Sequence, residues 1–388
     1  MRLRTPLAWN NLTHDPRRLA VAVSGVMFSV TLIFMELGFL NALLESTVQL
    51  LRRLDGEIVI VGSAQYALMA GERFDERRMY QARQVEGVAS VSPVYYEAVA
   101  GILRPEGKRG YPIRVLAVPT EDAALRIPEF ASWKDELRQP GTSLGDVTSR
   151  RDFEIPRSAD LLPEYRAELN GTKLRVVGHF RLGVDFATDG NLLMSANNFA
   201  RYFPQRGGGQ PLSVVDLAVV KLSPGADRET VLGRLRAALP SDVEPLAVEQ
   251  LIRREKAFWA TNAPLGFIFS VGAVMGFIVG IVICYQIIHA DISDHLPEFA
   301  TLKALGYESP YFIALVLQQC LYLAALGFVP GLMISWIAYG VLSEITGLTM
   351  HLTLTVTIGV FLATAAMCAT SGVFAVNKLL SVDPAELF

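Results

Sequence analysis

Residues 264–288 read PLGFIFSVGAVMGFIVGIVICYQII and contain no charged side chain. A helix needs roughly 20 apolar residues to cross a bilayer, and this run meets that length. Working outward, three more blocks behave alike. Residues 19–44 carry a single charge, Glu36, and residues 311–343 and 352–376 carry none. Over the full 388 residues, 51% are hydrophobic and 19% charged. Soluble domains carry roughly a quarter charged residues, and the deficit here is concentrated in the four blocks. The expected fold is a polytopic α-helical membrane protein with four spans, one before a large insertion and three after it. A cleaved signal peptide is the alternative for the first block. Its apolar region is about twice the length of a usual signal core, and no small-x-small cleavage site follows.

Lys and Arg in short flanks set the orientation of such a chain. Arg2, Arg4, Arg17 and Arg18 precede the first span, Lys303 lies between the second and third, and Lys378 follows the fourth. The short loop at 344–351 has neither residue type. Both termini are therefore expected in the cytoplasm. The chain divides into an amphipathic N-terminal segment (1–18), spans at 19–44, 263–289, 311–343 and 352–377, an extracytoplasmic domain (45–262), a cytoplasmic segment (290–310), a short outer loop (344–351) and a cytoplasmic tail (378–388). Pro330 and Gly331 fall near the middle of the third block, where proline's missing N–H predicts a kink or tilt.

The insertion alternates strand-like and helix-like runs. GEIVIVG at 56–62, the runs 88–103 and 111–118 around a loop at 105–110, and the stretches 173–181, 191–195 and 214–222 read as strands. Residues 75–84 and 228–239 read as helices, the second with Val231, Leu232, Leu235 and Leu239 on one face. An α+β domain follows, large enough for two subdomains. Residues 127–163 are polar with little periodicity, and a projecting insertion and an ordered loop are both open readings.

Motifs for chemistry are scarce. There is no GxxxxGK[ST], GxSxG or HExxH, so nucleotide binding, serine hydrolysis and zinc proteolysis have no sequence support. Cys284, Cys320 and Cys368 all lie in apolar blocks, without the spacing of a zinc or redox pair. The five histidines, at 14, 179, 289, 295 and 351, are scattered. Gly207 to Gly209 read as a flexible loop. A net charge of −3 gives no reason to expect nucleic acid as a partner. Glu36 is a candidate intramembrane functional residue, since a carboxylate within a span is costly. A pairing across helices and a hydrated groove between protomers are equally open to it.

The segment 291–307, DISDHLPEFATLKALGY, carries the most information. Leu296, Phe299, Leu302 and Leu305 recur every three residues and make an apolar stripe, with Glu298, Thr301 and Lys303 on the remaining face. Pro297 suits a first helical turn and Gly306 a helix end. Such a helix at the membrane surface either docks in a partner's groove or rests on lipid.

EFATLKALG (298–306) resembles the coupling segment of FtsX-like and MacB-like ABC permeases, and VDPAELF (382–388) resembles their ending. The one-plus-three arrangement is similar too. TPLAWNNL (5–12), FMELGF (34–39) and GHFRLGVDFATDG (178–190) look most like the DevC branch. Leu296–Pro297 depart from the pattern, in which Arg or Lys often precedes the glutamate. The resemblance implies a permease without its own ATPase, coupling through Leu296, Glu298, Phe299, Thr301, Leu302, Lys303, Leu305 and Gly306 to a DevA-like ABC ATPase that binds ATP and Mg. It implies a homodimer in a bacterial inner membrane, moving its outer domains to export a periplasmic or outer-leaflet substrate, glycolipid by analogy. A DevB-like membrane-fusion adaptor and a TolC-like channel would complete the path. An FtsX-type regulator of a cell-wall hydrolase and a LolC/E-like lipoprotein-extraction permease are the alternatives within the same resemblance.

Overall fold

The computed structural model describes residues 7–70, 72–122, 124–294, 298, 301–302, 305–348 and 350–380. They form two compact units. One contains residues 1–42, 264–345 and 350–388, the other residues 43–263 and 346–349.

In the first unit, four helices among the described residues are long and apolar enough to span a membrane. They are Pro16–Thr47, Pro264–Asp294, Ser309–Thr346 and Leu354–Leu380. A short helix, Leu7–His14, precedes them. Asp15 caps the first span, its Oδ1 accepting from the backbone N–H groups of Arg17 and Arg18 at 2.9 and 3.2 Å, which are otherwise orphan donors at a helix start. The third helix runs unbroken through Pro330.

In lipid, helices gain no hydrophobic drive to associate, so close packing decides which faces meet. Glycine supplies it here. A methyl group placed on Gly327 or Gly331 would come within 2.5 Å of Val26 and 2.7 Å of Val30, respectively, so the first and third spans touch nearly backbone to backbone. The Tyr339 hydroxyl donates to the Phe34 carbonyl across the same contact. The second and fourth spans meet through Cys284 and Cys368, whose Sγ atoms are 3.5 Å apart, and through Ser371 Oγ, which donates to Ile281 O at 2.8 Å.

The second unit is built on strands β1 (Ile58–Gly62), β2 (Phe74–Asp75), β3 (Val88–Glu97), β4 (Ile102–Pro105), β5 (Tyr111–Pro112), β6 (Arg114–Val118), β7 (Thr142–Asp146), β8 (Ala167–Leu169), β9 (Thr172–Phe180), β10 (Asn191–Ser195), β11 (Val214–Val215), β12 (Leu217–Leu222) and β13 (Val243–Ala247). The described residues form one 11-stranded sheet in the order β13-β1-β12-β3-β6-β10-β7-β9-β8-β4-β5. β6–β10 and β7–β9 are parallel, and the remaining pairs are antiparallel.

Both faces are covered. On β1, Ile58 and Ile60 enter one core while Val59 and Val61 enter the other, as the two-residue period of a strand requires. Helices Arg77–Arg83, Ala196–Tyr202 and Arg228–Ala238 supply Met79, Phe199 and Leu235 to the first core. Helices Gln49–Arg52, Pro128–Ser132 and Val248–Ala257 supply Leu51, Phe130 and Leu251 to the second.

Three expectations change. One sheet runs through the domain, so it does not divide into two subdomains. The run 88–103 breaks into β3 and β4 at residues 98–101, because β3 pairs with β6 while β4 turns back on β5 across the predicted loop, Leu103 opposite Tyr111. Residues 127–163 are neither a projection nor a loop alone, since they contain β7, which lies inside the sheet between β10 and β9.

Candidate functional site

The second span's helix ends in the described residues at Asp294. Of the predicted coupling residues, Leu296, Phe299 and Lys303 lie outside the described residues, as do residues 382–388 and the first two residues of 5–12. Glu298, Thr301 and Leu302 are helical. The helix closes in the manner expected of a glycine-terminated end. Gly306 takes φ +95°, the Leu305 N–H reaches Thr301 O at 3.0 Å, and the Tyr307 N–H reaches Leu302 O at 3.2 Å. The two leucines then differ. Leu302 packs on the apolar core of the bundle, whereas Leu305 is 72% exposed. Tyr307, also exposed, packs at a tilt on Tyr311 at the start of the third span, the ring centroids 4.7 Å apart. The exposed residues described in this segment are thus Glu298, Thr301, Leu305 and Tyr307, with Leu302 packed on the chain's own bundle.

Beneath this segment Arg18 pairs with Asp294, and Gln319 Nε2 donates to Asp291 at 3.3 Å. Trp9 of the N-terminal helix meets Tyr322 edge-on at 5.5 Å. The ends of the first three spans and the N-terminal helix are therefore tied at one place.

Glu36 sits against Gly272 of the second span, its carboxylate occupying the volume that a β-carbon there would fill. A β-carbon at 272 would require the Glu36 carboxylate to move.

In the outer domain the segment 178–190 is held by buried polar contacts. Arg114 on β6 pairs with Asp185, each side chain 4% exposed, and its Nε donates to Asn191 Oδ1 at 2.6 Å. Asn191 Nδ2 donates to Asp146 at 2.6 Å, and Asp146 also accepts from the Gly183 N–H at 2.9 Å. Asp185 Oδ1 closes the loop on itself, accepting from the N–H groups of Ala187 and Thr188 at 2.8 and 2.9 Å. Gly183, at φ +115°, leaves space for the Gln49 amide. A buried charge is retained at low cost only when paired and fully hydrogen-bonded, and this group meets that condition. Its signal in the sequence was local, an Asp followed three residues later by Thr. The triple glycine 207–209 is an ordered turn beside Arg206, which is buried against Asp216 at 2.6 Å.

Sequence reasoning missed the two ends of the domain. Glu45, on the helix that enters it, pairs with Lys256 at 2.6 Å, on the helix that leaves it, and with Arg52. The residue before Lys256, Glu255, is 2% exposed. It accepts from the Leu68 N–H at 2.8 Å and the Trp259 indole N–H at 2.9 Å. Burial pushes its carboxyl above the usual range, the two hydrogen bonds opposing that only in part. Among the described residues no group of His, Cys, Asp and Glu is arranged to hold a metal ion.

Residues 19–238 match the family model of the MacB-like periplasmic core domain, and residues 270–384 that of the FtsX-like permease C-terminal. The chain is 22% identical over 327 residues to an uncharacterised ABC transporter permease of Methanocaldococcus jannaschii, a match covering 80% of this chain and 76% of the relative. Among solved structures, the periplasmic region of MacB from Actinobacillus actinomycetemcomitans aligns at 13% identity and TM-score 0.36, covering 52% of this chain and 92% of that one. The extracellular domain of the noncanonic ABC-type transporter YknZ from Gram-positive bacteria aligns at 10% identity and TM-score 0.34, covering 49% and 98%.

Proposed function

We propose that this chain, which belongs to the MacB/FtsX-like family of ABC transporter permeases, is the DevC-like membrane subunit of an exporter powered by a separate ATPase. It carries no phosphate-binding loop of its own, so ATP and Mg bind to the partner. Two copies stand in a bacterial inner membrane with both termini in the cytoplasm. The 298–306 segment receives the ATPase. Closure of the ATPases moves the first and second spans, and the outer domains move with them. A periplasmic or outer-leaflet substrate, a glycolipid in this reading, is thereby driven through an adaptor and a TolC-like channel.

The observation that carries this reading is the clasp between Glu45 and Lys256. The helix of the first span continues to Thr47, and the chain returns through Val248–Ala257 and the π-helical Phe258–Asn262 to Pro264. Entry and exit are therefore joined to each other as well as to their spans. Two helices pulled together act on the domain as one lever. The pair is half-buried, and ion pairs near the surface contribute roughly 0–1 kcal/mol of stability, so its value lies in position.

Leu305→Glu tests the docking surface. Leu305 is exposed and helix-terminal, so the substitution leaves thermal unfolding of the permease unchanged while abolishing co-purification with the ATPase. Retention of the ATPase by Leu305→Glu would sink the docking claim.

A further inference from the structure

Residues 63–70 read SAQYALMA and residues 257–263 read AFWATNA, and neither run carries a charge. Folding brings the two together. In the first run Ala67 and Leu68 are buried, whereas Tyr66 is 62% and Met69 39% exposed. The loop is therefore anchored by its middle and turns two large apolar side chains outward. The Tyr66 ring lies 5.3 Å from that of Phe258, and Phe258 meets Trp259 edge-on at 5.9 Å. Glu255 fastens the loop to the same helix, one carboxyl oxygen accepting from the Leu68 N–H and the other from the Trp259 indole N–H. Tyr66 and Met69 thus stand on backbone held to the helix that leaves the domain.

Chain connectivity limits what this patch can face. Phe258–Asn262 is π-helical, and only Ala263 separates it from Pro264, where the second span begins. At about 1.5 Å per helical residue and 3.8 Å for the one extended step, Phe258 lies within roughly 12 Å of the first residue of the span. No Asp, Glu, Lys or Arg occurs between Lys256 and Asp291, so the uncharged run begins before the span's own helix does. Outside the hydrocarbon core the headgroup zone is about 5–8 Å thick on each side. Tyr and Trp collect in that zone because each has an apolar ring and a polar tip. Methionine, flexible and polarisable, suits an irregular apolar surface.

We propose that residues 66–69 and Phe258 form a foot that rests in the headgroup zone of the bilayer where the second span enters it, with the lipid surface as the partner of Tyr66 and Met69. Glu255 ties the foot to the exit helix, so a movement of the second span carries the foot along the membrane surface. In the orientation proposed above the leaflet is the outer one. Contact with lipid depends neither on that orientation nor on an ATPase.

The full chain in nanodiscs, with no other protein added, tests this. A phosphatidylcholine with a photoreactive diazirine near the top of its acyl chain is activated, and its adducts are mapped by mass spectrometry. Adducts are expected at 66–69 as well as along the spans, which serve as the internal control and require no substitution. Labelled spans with 66–69 unlabelled overturn the proposal. A second readout places an environment-sensitive fluorophore at Tyr66→Cys or Met69→Cys, the native cysteines being buried. Nitroxide-bearing lipid should quench most of its emission, and aqueous iodide far less. The reverse order overturns the contact with lipid. Quenching by neither marks burial against a second copy of the chain and overturns it as well. All of these outcomes are separate from ATPase docking, which Leu305→Glu tests.

Discussion

Glu255 makes its hydrogen bonds to two neutral N–H groups, those of Leu68 and Trp259. Because burial raises its pKa, the folded chain keeps this carboxyl protonated at pH values where the unfolded chain has released the proton. Its contribution to stability is complete below about pH 4.3, the unfolded value, and is lost as pH rises through the raised folded value. Glu255→Gln removes the titration. Denaturant unfolding of the full chain, followed by tryptophan fluorescence between about pH 4 and 8, should show the variant gaining on the wild type as pH rises. A constant difference across the range would contradict the assignment. The sequence could not mark this residue. VEQLIRREKA places Glu255 among Arg253, Arg254 and Lys256, where it reads as one charge in a solvated run. One of its two donors, the Leu68 N–H, lies almost 190 residues earlier. Glu36 was legible because its neighbours in sequence are apolar, which is a local property. Gly272, which makes room for it, was not.

Between elements the same contrast holds. The spans were readable because a lipid environment imposes its condition on every consecutive residue. β1 was readable because IVIVG is apolar throughout and both of its faces are buried. β7, TSLGD, was not. Its polar side chains find partners elsewhere: Thr142 Oγ1 donates to Glu136 O and Gln139 O, both at 2.8 Å, and Asp146 is satisfied by Asn191 and Gly183. Nothing within 142–146 announces that. Helix–helix packing is intermediate, since glycines in spans are visible but their partners are not. Gly331 meets Val30, so Gly331→Leu should force the first and third spans apart. Overpacking of this kind costs typically about 1–3 kcal/mol. Thermal unfolding in detergent reads it as a lowered midpoint, with Gly340→Leu, where an added side chain meets open space, as the neutral control. Equal midpoints for the two variants would show that the first–third contact is not close-packed.

At the scale of the whole molecule, the order of parts was legible and their mechanics were not. Four apolar blocks and a polar insertion are a matter of composition. The family match extends that order to the MacB-like core domain and FtsX-like C-terminal part. The clasp of Glu45 and Lys256 across the domain's two ends and the commitment of Leu302 to its own bundle arise only on folding. In the function proposed above they make the layout a lever, with Leu305 on its contact surface. The direct test is a spin-label distance measurement on the assembled complex in nanodiscs. Val99, 63% exposed on the outer domain, is replaced by cysteine and labelled, while the native cysteines are buried. The distance between labels in the two copies is read by double electron–electron resonance with ADP and with ATP. The account predicts two distinct distance distributions, which become one on Leu305→Glu. Identical distributions in a complex that binds its ATPase and hydrolyses ATP would contradict it.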